Sequence, residues 1–164
     1  KSVTDFVSVT KLVGEHEGWR TPDQSDCEGR SSGGLLVGAE INQKPSLFSV
    51  AFLGVPFLDI FGTLTDSSLP LTAMDWDEFG NPNEFVHFEN IRNYSPLHNI
   101  QPNEKYPTFL LIGGLHDLRV SYWEPLKFAA TLRHVTKLRA DRRVCVKIDA
   151  SAGHSFGSNR TKYF

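Results

Sequence analysis

Gly29-Arg30-Ser31-Ser32-Gly33-Gly34 is the stretch on which the fold of this chain turns. It has the form G-x-S-x-G with one further glycine, the pattern of a sharp strand-to-helix turn that lifts a serine hydroxyl clear of the main chain. The spacing selects Ser31 as the lifted residue and puts Ser32 at the start of the following helix. A serine held at a strained φ/ψ on so tight a turn is expected to leave no room for a Cβ two residues to either side, at Gly29 and Gly33. Alone the pentapeptide is a modest signal, because stretches rich in Gly and Ser are commonly only turns. Its neighbours decide its meaning.

Gln24 to Glu28 is the strand expected to feed the turn, although Ser25 and Asp26 are poor residues for a central parallel strand buried on both faces. Ahead of it lies a Thr21-Pro22-Asp23 turn. From Ser2 to about Glu17, Val3, Phe6, Val7 and Val13 recur at helical intervals, with Ser2 and Asp5 as a capping pair. Beyond the turn, Leu35 to Gln43 reads as a helix stopped by Pro45, and Phe48 to Val55 as a buried strand. Pro56 to Pro107 is long and irregular, with helical turns expected at Leu58 to Leu64 and around Glu84 to Arg92. Thr108 to Ile112 is a third strand ending in Gly113-Gly114, Glu124 to Leu132 a helix with Pro125 in its first turn, and Val144 to Ile148 a fourth strand. Strands alternating with helices imply an α/β fold, a mainly parallel sheet with helices on both faces. In such sheets chemistry gathers at the carboxyl ends of the strands.

A net charge of −2 over 164 residues, with basic residues scattered except for Lys137 to Arg143, excludes the electrostatic footprint of a nucleic-acid binder. No apolar run approaches the roughly 20 residues of a membrane span. Cys27 and Cys145 each fall in an expected strand, which argues against a disulfide framework and for a reducing, cytoplasmic setting. The triplets Asn93-Tyr94-Ser95 and Asn159-Arg160-Thr161 match a glycosylation sequon that matters only in a secreted protein. The chain opens without Met, on residues that read as the middle of a helix, so a fragment of a longer protein is expected.

Ser31 follows the first strand, Asp117 the third and His154 the fourth. All three stand at carboxyl ends, and the order Ser, Asp, His is that of an α/β-hydrolase. Such chemistry needs a base at His154 to take the Ser31 proton, a carboxylate at Asp117 to set the imidazole tautomer, and the Ser32 N–H to face the oxyanion. Each residue also has an ordinary reading: a turn serine, a turn aspartate in His116-Asp117-Leu118-Arg119, a loop histidine. His16 reads as a solvated helix-face residue, and His87, His98, His116 and His134 lack the spacing of a metal site. No metal or cofactor is expected.

At these residues the sequence resembles the prolyl oligopeptidase family, and within it the oligopeptidase B branch. The matching runs are Glu28 to Leu36, Gly54-Val55-Pro56-Phe57-Leu58-Asp59, Leu69-Pro70-Leu71-Thr72, Phe79-Gly80-Asn81-Pro82, Tyr94-Ser95-Pro96, Gly114-Leu115-His116-Asp117, Tyr122-Trp123-Glu124-Pro125 and Gly153-His154. They span nearly the whole chain in family order. The resemblance implies a serine peptidase acting on oligopeptides after Lys or Arg, with Ser31, Asp117 and His154 as catalytic residues. It implies that Arg119 binds a substrate carbonyl. It also puts Asp75 and Asp77 where basic-specific members carry two glutamates for the P1 side chain. Residues 1–164 then form the C-terminal portion of an α/β-hydrolase catalytic domain. The family's β-propeller, the first strands of the sheet, the tyrosine that donates to the oxyanion and the last helix fall outside it. Two alternatives stay open on the residues: an inactive or interaction remnant of such an enzyme, and an esterase on the same fold.

Overall fold

The computed structural model describes residues 2–15, 25–136 and 142–155. The expected helix end at Glu17, His16, the Thr21-Pro22-Asp23 turn, Gln24, Lys137 to Asp141 of the basic cluster and the second sequon lie outside them. Helix α1 (Ser2–Glu15) is followed by β1 (Asp26–Arg30), α2 (Ser32–Gln43) and β2 (Val50–Gly54). Then come α3 (Ile60–Leu64), α4 (Thr72–Phe79), α5 (Phe85–Arg92), β3 (Thr108–Gly114), α6 (Trp123–Val135) and β4 (Val144–Asp149). The four strands make one parallel sheet in the order β1-β2-β3-β4.

Register sets which side chains form the core. Cys27, Ala51, Phe109 and Val144 lie side by side across the sheet, with Leu53 and Leu111 in the next row on that face. Val37 and Ile41 of α2 and Phe128, Ala129 and Leu132 of α6 close on them, so both helices pack on this face. The larger of the wholly inaccessible side chains, Ile41, Leu53, Phe109, Leu111, Phe128 and Leu132, each contribute about 1.5–3 kcal/mol of burial. The opposite face carries Asp26, Glu28, Val50, Leu110, Cys145 and Lys147, all exposed.

This alternation accounts for the polar strand before the turn. Asp26, Glu28 and Arg30 of β1 occupy the exposed face while Cys27 and Gly29 point inward. The strand runs two residues later than the sequence suggested, so that it ends directly at the turn. α2 begins at Ser32, where the turn pattern puts its start, and carries the Leu35 to Gln43 helix back over both glycines.

The segment from Pro56 to Pro107 is less irregular than its composition suggests, because α4 lies within it. Leu35, Phe57, Ile60, Leu64, Ile91 and Val120 form a second small core, flanked by Phe61, Trp76, Phe79 and Tyr94. Hydrogen bonds from Thr72 Oγ1 to the Thr63 carbonyl (2.8 Å) and from Trp76 Nε1 to the Leu64 carbonyl (3.0 Å) fasten α4 to α3. Phe57 and Phe79 meet edge to face with ring centroids 5.4 Å apart. The acidic helix is thereby set beside the Ser31 turn.

The glycines of that turn differ in what they permit. A Cβ on Gly29 would stand 2.6 Å from the Gly33 carbonyl oxygen, and one on Gly34 2.6 Å from Pro56 Cβ, whereas one on Gly33 would meet nothing within 4 Å. The expectation that both Gly29 and Gly33 are sterically required holds for Gly29 alone, because Gly33 already lies in the helix with its α-carbon facing open space. Gly34→Ala should therefore cost about 1–3 kcal/mol through overpacking. Gly33→Ala should be neutral or stabilising by up to about 1 kcal/mol through helix propensity. Urea midpoints of the two variants test this, and equal losses would refute it.

Candidate active site

Ser31 sits between β1 and α2 with φ 54° and ψ −124°, a conformation that L side chains rarely adopt. Its main chain is held at every polar atom. The amide donates to the Gly54 carbonyl (3.1 Å), extending the β1–β2 ladder past the strand end. The carbonyl accepts from the amides of Gly34 (2.9 Å), Phe57 (3.0 Å) and Leu35 (3.4 Å). Ser32 is the first residue of α2, so its amide has no acceptor within the helix and projects from the N-terminus.

Asp117 and His154 come together across the ends of β3 and β4. His154 Nδ1 and Asp117 Oδ2 are 2.8 Å apart, with the Asp117 carboxylate fully inaccessible and the imidazole 18% exposed. The other carboxylate oxygen, Oδ1, accepts from the amides of Arg119 (2.8 Å) and Val120 (3.0 Å). A buried carboxylate thus has its acceptors filled, as burial of charge requires. The loop carrying His154 rests on β3: His116 N–H donates to the Ala152 carbonyl (3.0 Å). A Cβ on Gly114 would collide with the Ala152 and Gly153 carbonyls at 2.6 Å. Arg30, the last residue of β1, donates from its guanidinium to the main-chain carbonyl of His154. Among the described residues no hydrogen bond joins Ser31 to His154 directly.

A cavity of about 140 Å³ opens beside Ser31, lined by Ser31, Ser32, Phe57, Asp75, Glu78 and Arg119, among others. Of the two aspartates singled out from the sequence, Asp75 lines it and Asp77 does not; Asp77 is exposed. The reason is helical periodicity. In α4, residues three apart share a face and residues two apart do not, so the partner of Asp75 is Glu78. Glu78 could have been found from the sequence only by treating Thr72 to Phe79 as a helix instead of as part of the irregular region. Partial burial, followed by the charge of Glu78, raises the Asp75 carboxyl above its ordinary range.

The loop that backs the turn hangs on a residue the sequence did not mark as functional. Glu124, in the first turn of α6, is completely buried and accepts at Oε2 from the amides of Leu58 (2.8 Å) and Asp59 (2.9 Å) and at Oε1 from Thr63 Oγ1 (2.8 Å). Asp59 in turn caps α3 through Gly62 N–H (3.0 Å) and pairs with Lys127. Just ahead, Val55 is held at φ 41° and donates to the Ile112 carbonyl (2.6 Å). Phe57, between Val55 and Leu58, supplies both a cavity wall and a hydrogen bond to Ser31. Burial raises the Glu124 carboxyl to about 7, against the hydrogen bonds from Asp59, Thr63 and Leu58 and with a further upward push from the Asp59 charge.

Among the described residues no group of His, Cys, Asp and Glu could hold a metal ion, and no helix is long and apolar enough to cross a membrane. Residues 1–163 match the model of the prolyl oligopeptidase family. The chain is 37% identical to dipeptidyl aminopeptidase BI of Pseudoxanthomonas mexicana, covering 98% of this chain and 22% of that protein. It is also 37% identical to Protease 2 of Moraxella lacunata, over 96% and 22% respectively. Oligopeptidase B from Trypanosoma brucei, solved with covalently bound antipain in a closed form, superposes with a TM-score of 0.89 at 45% identity over 97% of this chain and 22% of that one. Oligopeptidase B from Leishmania major gives 0.87 at 41% identity, over 93% and 20%. The fold is thus that of an α/β-hydrolase, and the chain spans about a fifth of the length of these relatives.

The Glu124 carboxyl carries a consequence for stability. Its folded value of about 7 exceeds its ordinary 4.5, so the folded state binds the proton more tightly. The stability this contributes is full below pH 4.5 and is lost as pH rises to about 7, a fall of about 3 kcal/mol. Glu124→Gln, which keeps an acceptor for the two amides, should abolish this part of the pH dependence. Denaturant midpoints of both proteins between pH 4.5 and 8 test it, and parallel curves would contradict it.

Proposed function

The chain belongs to the prolyl oligopeptidase family, and from that premise we propose that it carries the catalytic machinery of a longer serine oligopeptidase that cleaves short peptides after Lys or Arg. The observation that carries the proposal is the 2.8 Å contact between His154 Nδ1 and the buried Asp117 carboxylate, formed at the same end of the sheet as the strained Ser31. With Nδ1–H given to Asp117, Nε2 is left to take the Ser31 proton. Ser31 Oγ attacks the scissile carbonyl, and the Ser32 N–H donates to the oxyanion. His154 then protonates the leaving amine, leaving an acyl ester on Ser31 that water hydrolyses by the same base. Removal of one oxyanion donor typically costs about 100-fold to 1,000-fold in rate.

Asp75, Glu78 and Arg119 around the cavity support the basic P1 preference. A close carboxylate pair is unfavourable by itself and is neutralised by a guanidinium or ammonium group. Arg119, opposite in charge to both, is suited to hold a substrate carbonyl. Asp77 has no part in this pocket. The two cysteines, Cys27 buried and Cys145 exposed, support a cytoplasmic location. The span of a fifth of the relatives' length supports a parent chain whose remaining parts complete the sheet and, as a propeller, restrict substrates to oligopeptides.

A fluorophosphonate should label Ser31 in the full-length chain that contains this sequence, and Ser31→Ala should abolish labelling; an unlabelled but folded chain would refute the serine mechanism. Asp75→Asn should raise KM for Arg and Lys amides by about tenfold, the scale of a partly buried ion pair, and spare Ala and Pro amides. Because the Asp75 carboxyl is raised and must be ionised to pair with a cation, KM for basic amides should fall as pH rises through its titration and become flat in the Asp75→Asn protein. Equal losses on all substrates would exclude the pocket, and faster turnover of simple esters than of any amide would favour an esterase.

A further inference from the structure

The catalytic base is held at two points by two different strands. Its imidazole is fixed by Asp117 from the end of β3, and its main-chain carbonyl accepts a hydrogen bond from the guanidinium of Arg30 at the end of β1. β1 and β4 are the two outer strands of the four-stranded order, so the Arg30 contact passes over two intervening strands. Arg30 is also bonded covalently to Ser31. The hydrogen bond therefore ties the loop of the base to the residue preceding the nucleophile, by a path that does not run through the sheet.

We propose that Arg30 is a positioning residue that sets the His154 imidazole relative to Ser31, an inference that rests on the triad reading above. Among the described residues, the other anchors of this loop lie on its β3 side. From Ala152 to His154 the described main-chain contacts run to β3 and its following turn, through His116 N–H and the close approach of Gly114, or within the loop to Asp149. These fix the height of the loop over the sheet and its distance from Asp117. The Arg30 hydrogen bond is the contact that draws it toward the turn. It is also insensitive to the protonation of the imidazole, because it is made to the peptide carbonyl. It can thus hold the base in place while His154 gains and loses a proton in each cycle. A base displaced by about 1 Å can lose 100-fold in rate without any change in the groups that bind substrate. Arg30 is suited to the task because its long stem spans the gap from an exposed strand face and its planar fork is always charged.

The test uses the full-length chain with Arg30→Met, which keeps most of the apolar stem, and Arg30→Lys, which keeps one cationic donor. Each is assayed with an arginyl fluorogenic amide and by the rate of fluorophosphonate labelling, alongside Ser31→Ala. Arg30→Met is expected to lower kcat and the labelling rate by about 10-fold to 100-fold, with KM within twofold, and Arg30→Lys to recover a substantial part of both. A merely structural role would lower the fraction of active protein, read from the labelling end point, without altering kcat per labelled site. That result would overturn the proposal, as would wild-type kcat in Arg30→Met or a rise confined to KM, which would make Arg30 a substrate contact. If Arg30→Met does not fold, Arg30→Gln takes its place: wild-type kcat per labelled site refutes positioning, and a reduced kcat per labelled site with unchanged KM supports it. Labelling that persists in Ser31→Ala would instead sink the triad reading itself, whatever the Arg30 variants do.

Discussion

Ser31 is held in a backbone conformation that costs of the order of 1–3 kcal/mol, and much of the surrounding structure serves to maintain it. Its amide continues the ladder to β2 and its carbonyl gathers three donors, one of them Phe57 N–H. Gly29 lets the first turn of α2 fold back against β1, and Gly34 lets the same helix lie against Pro56. The Pro56 to Asp59 loop is in turn suspended from Glu124 on α6. The chain of support therefore runs from α6, through a loop with its own strained residue at Val55, to Ser31. Strain at one residue is affordable because several elements converge on it.

Three carboxyl groups near the site show how environment divides one chemistry into different roles. Asp117 is buried with its oxygens met by two amides and an imidazole, which suits an orienting anion. Glu124 is equally buried and accepts three hydrogen bonds, but it has no cation in contact, and burial drives its carboxyl to about 7. Asp75 is only partly covered and shares its cavity with Glu78 and Arg119, so its carboxyl stays open to solvent and to neighbouring charge. Residue type alone does not separate these three; the distribution of donors, charges and solvent does.

Much of the frame could be read from the chain. Three apolar runs and the polar stretch before the turn became four strands, and the residues past three of them, Ser31, Asp117 and His154, stand at the same end of the sheet because parallel strands bring all their carboxyl ends to one side. Two kinds of feature were not legible. The polar strand Asp26 to Arg30 looked out of place until its register put Asp26, Glu28 and Arg30 on the face away from α2 and α6. The acidic stretch Thr72 to Phe79 reads as part of the irregular region because it has only eight residues, three of them carboxylates. It is a helix because Trp76 and Phe79 find a second core that the sequence does not announce.

The sequence by itself determined the class of fold, the turn at Ser31 and the order of the three site residues, since these follow from local patterns of glycine, apolar periodicity and strand ends. Only the tertiary structure decided that Glu78 rather than Asp77 shares a face with Asp75, that Gly33 is free of the steric demand placed on Gly29, and that Arg30 reaches His154, 124 residues away in the chain. Each of these depends on which surfaces meet in space. Such meetings are set by helix phase and sheet order acting together, and neither is written in any one stretch of residues.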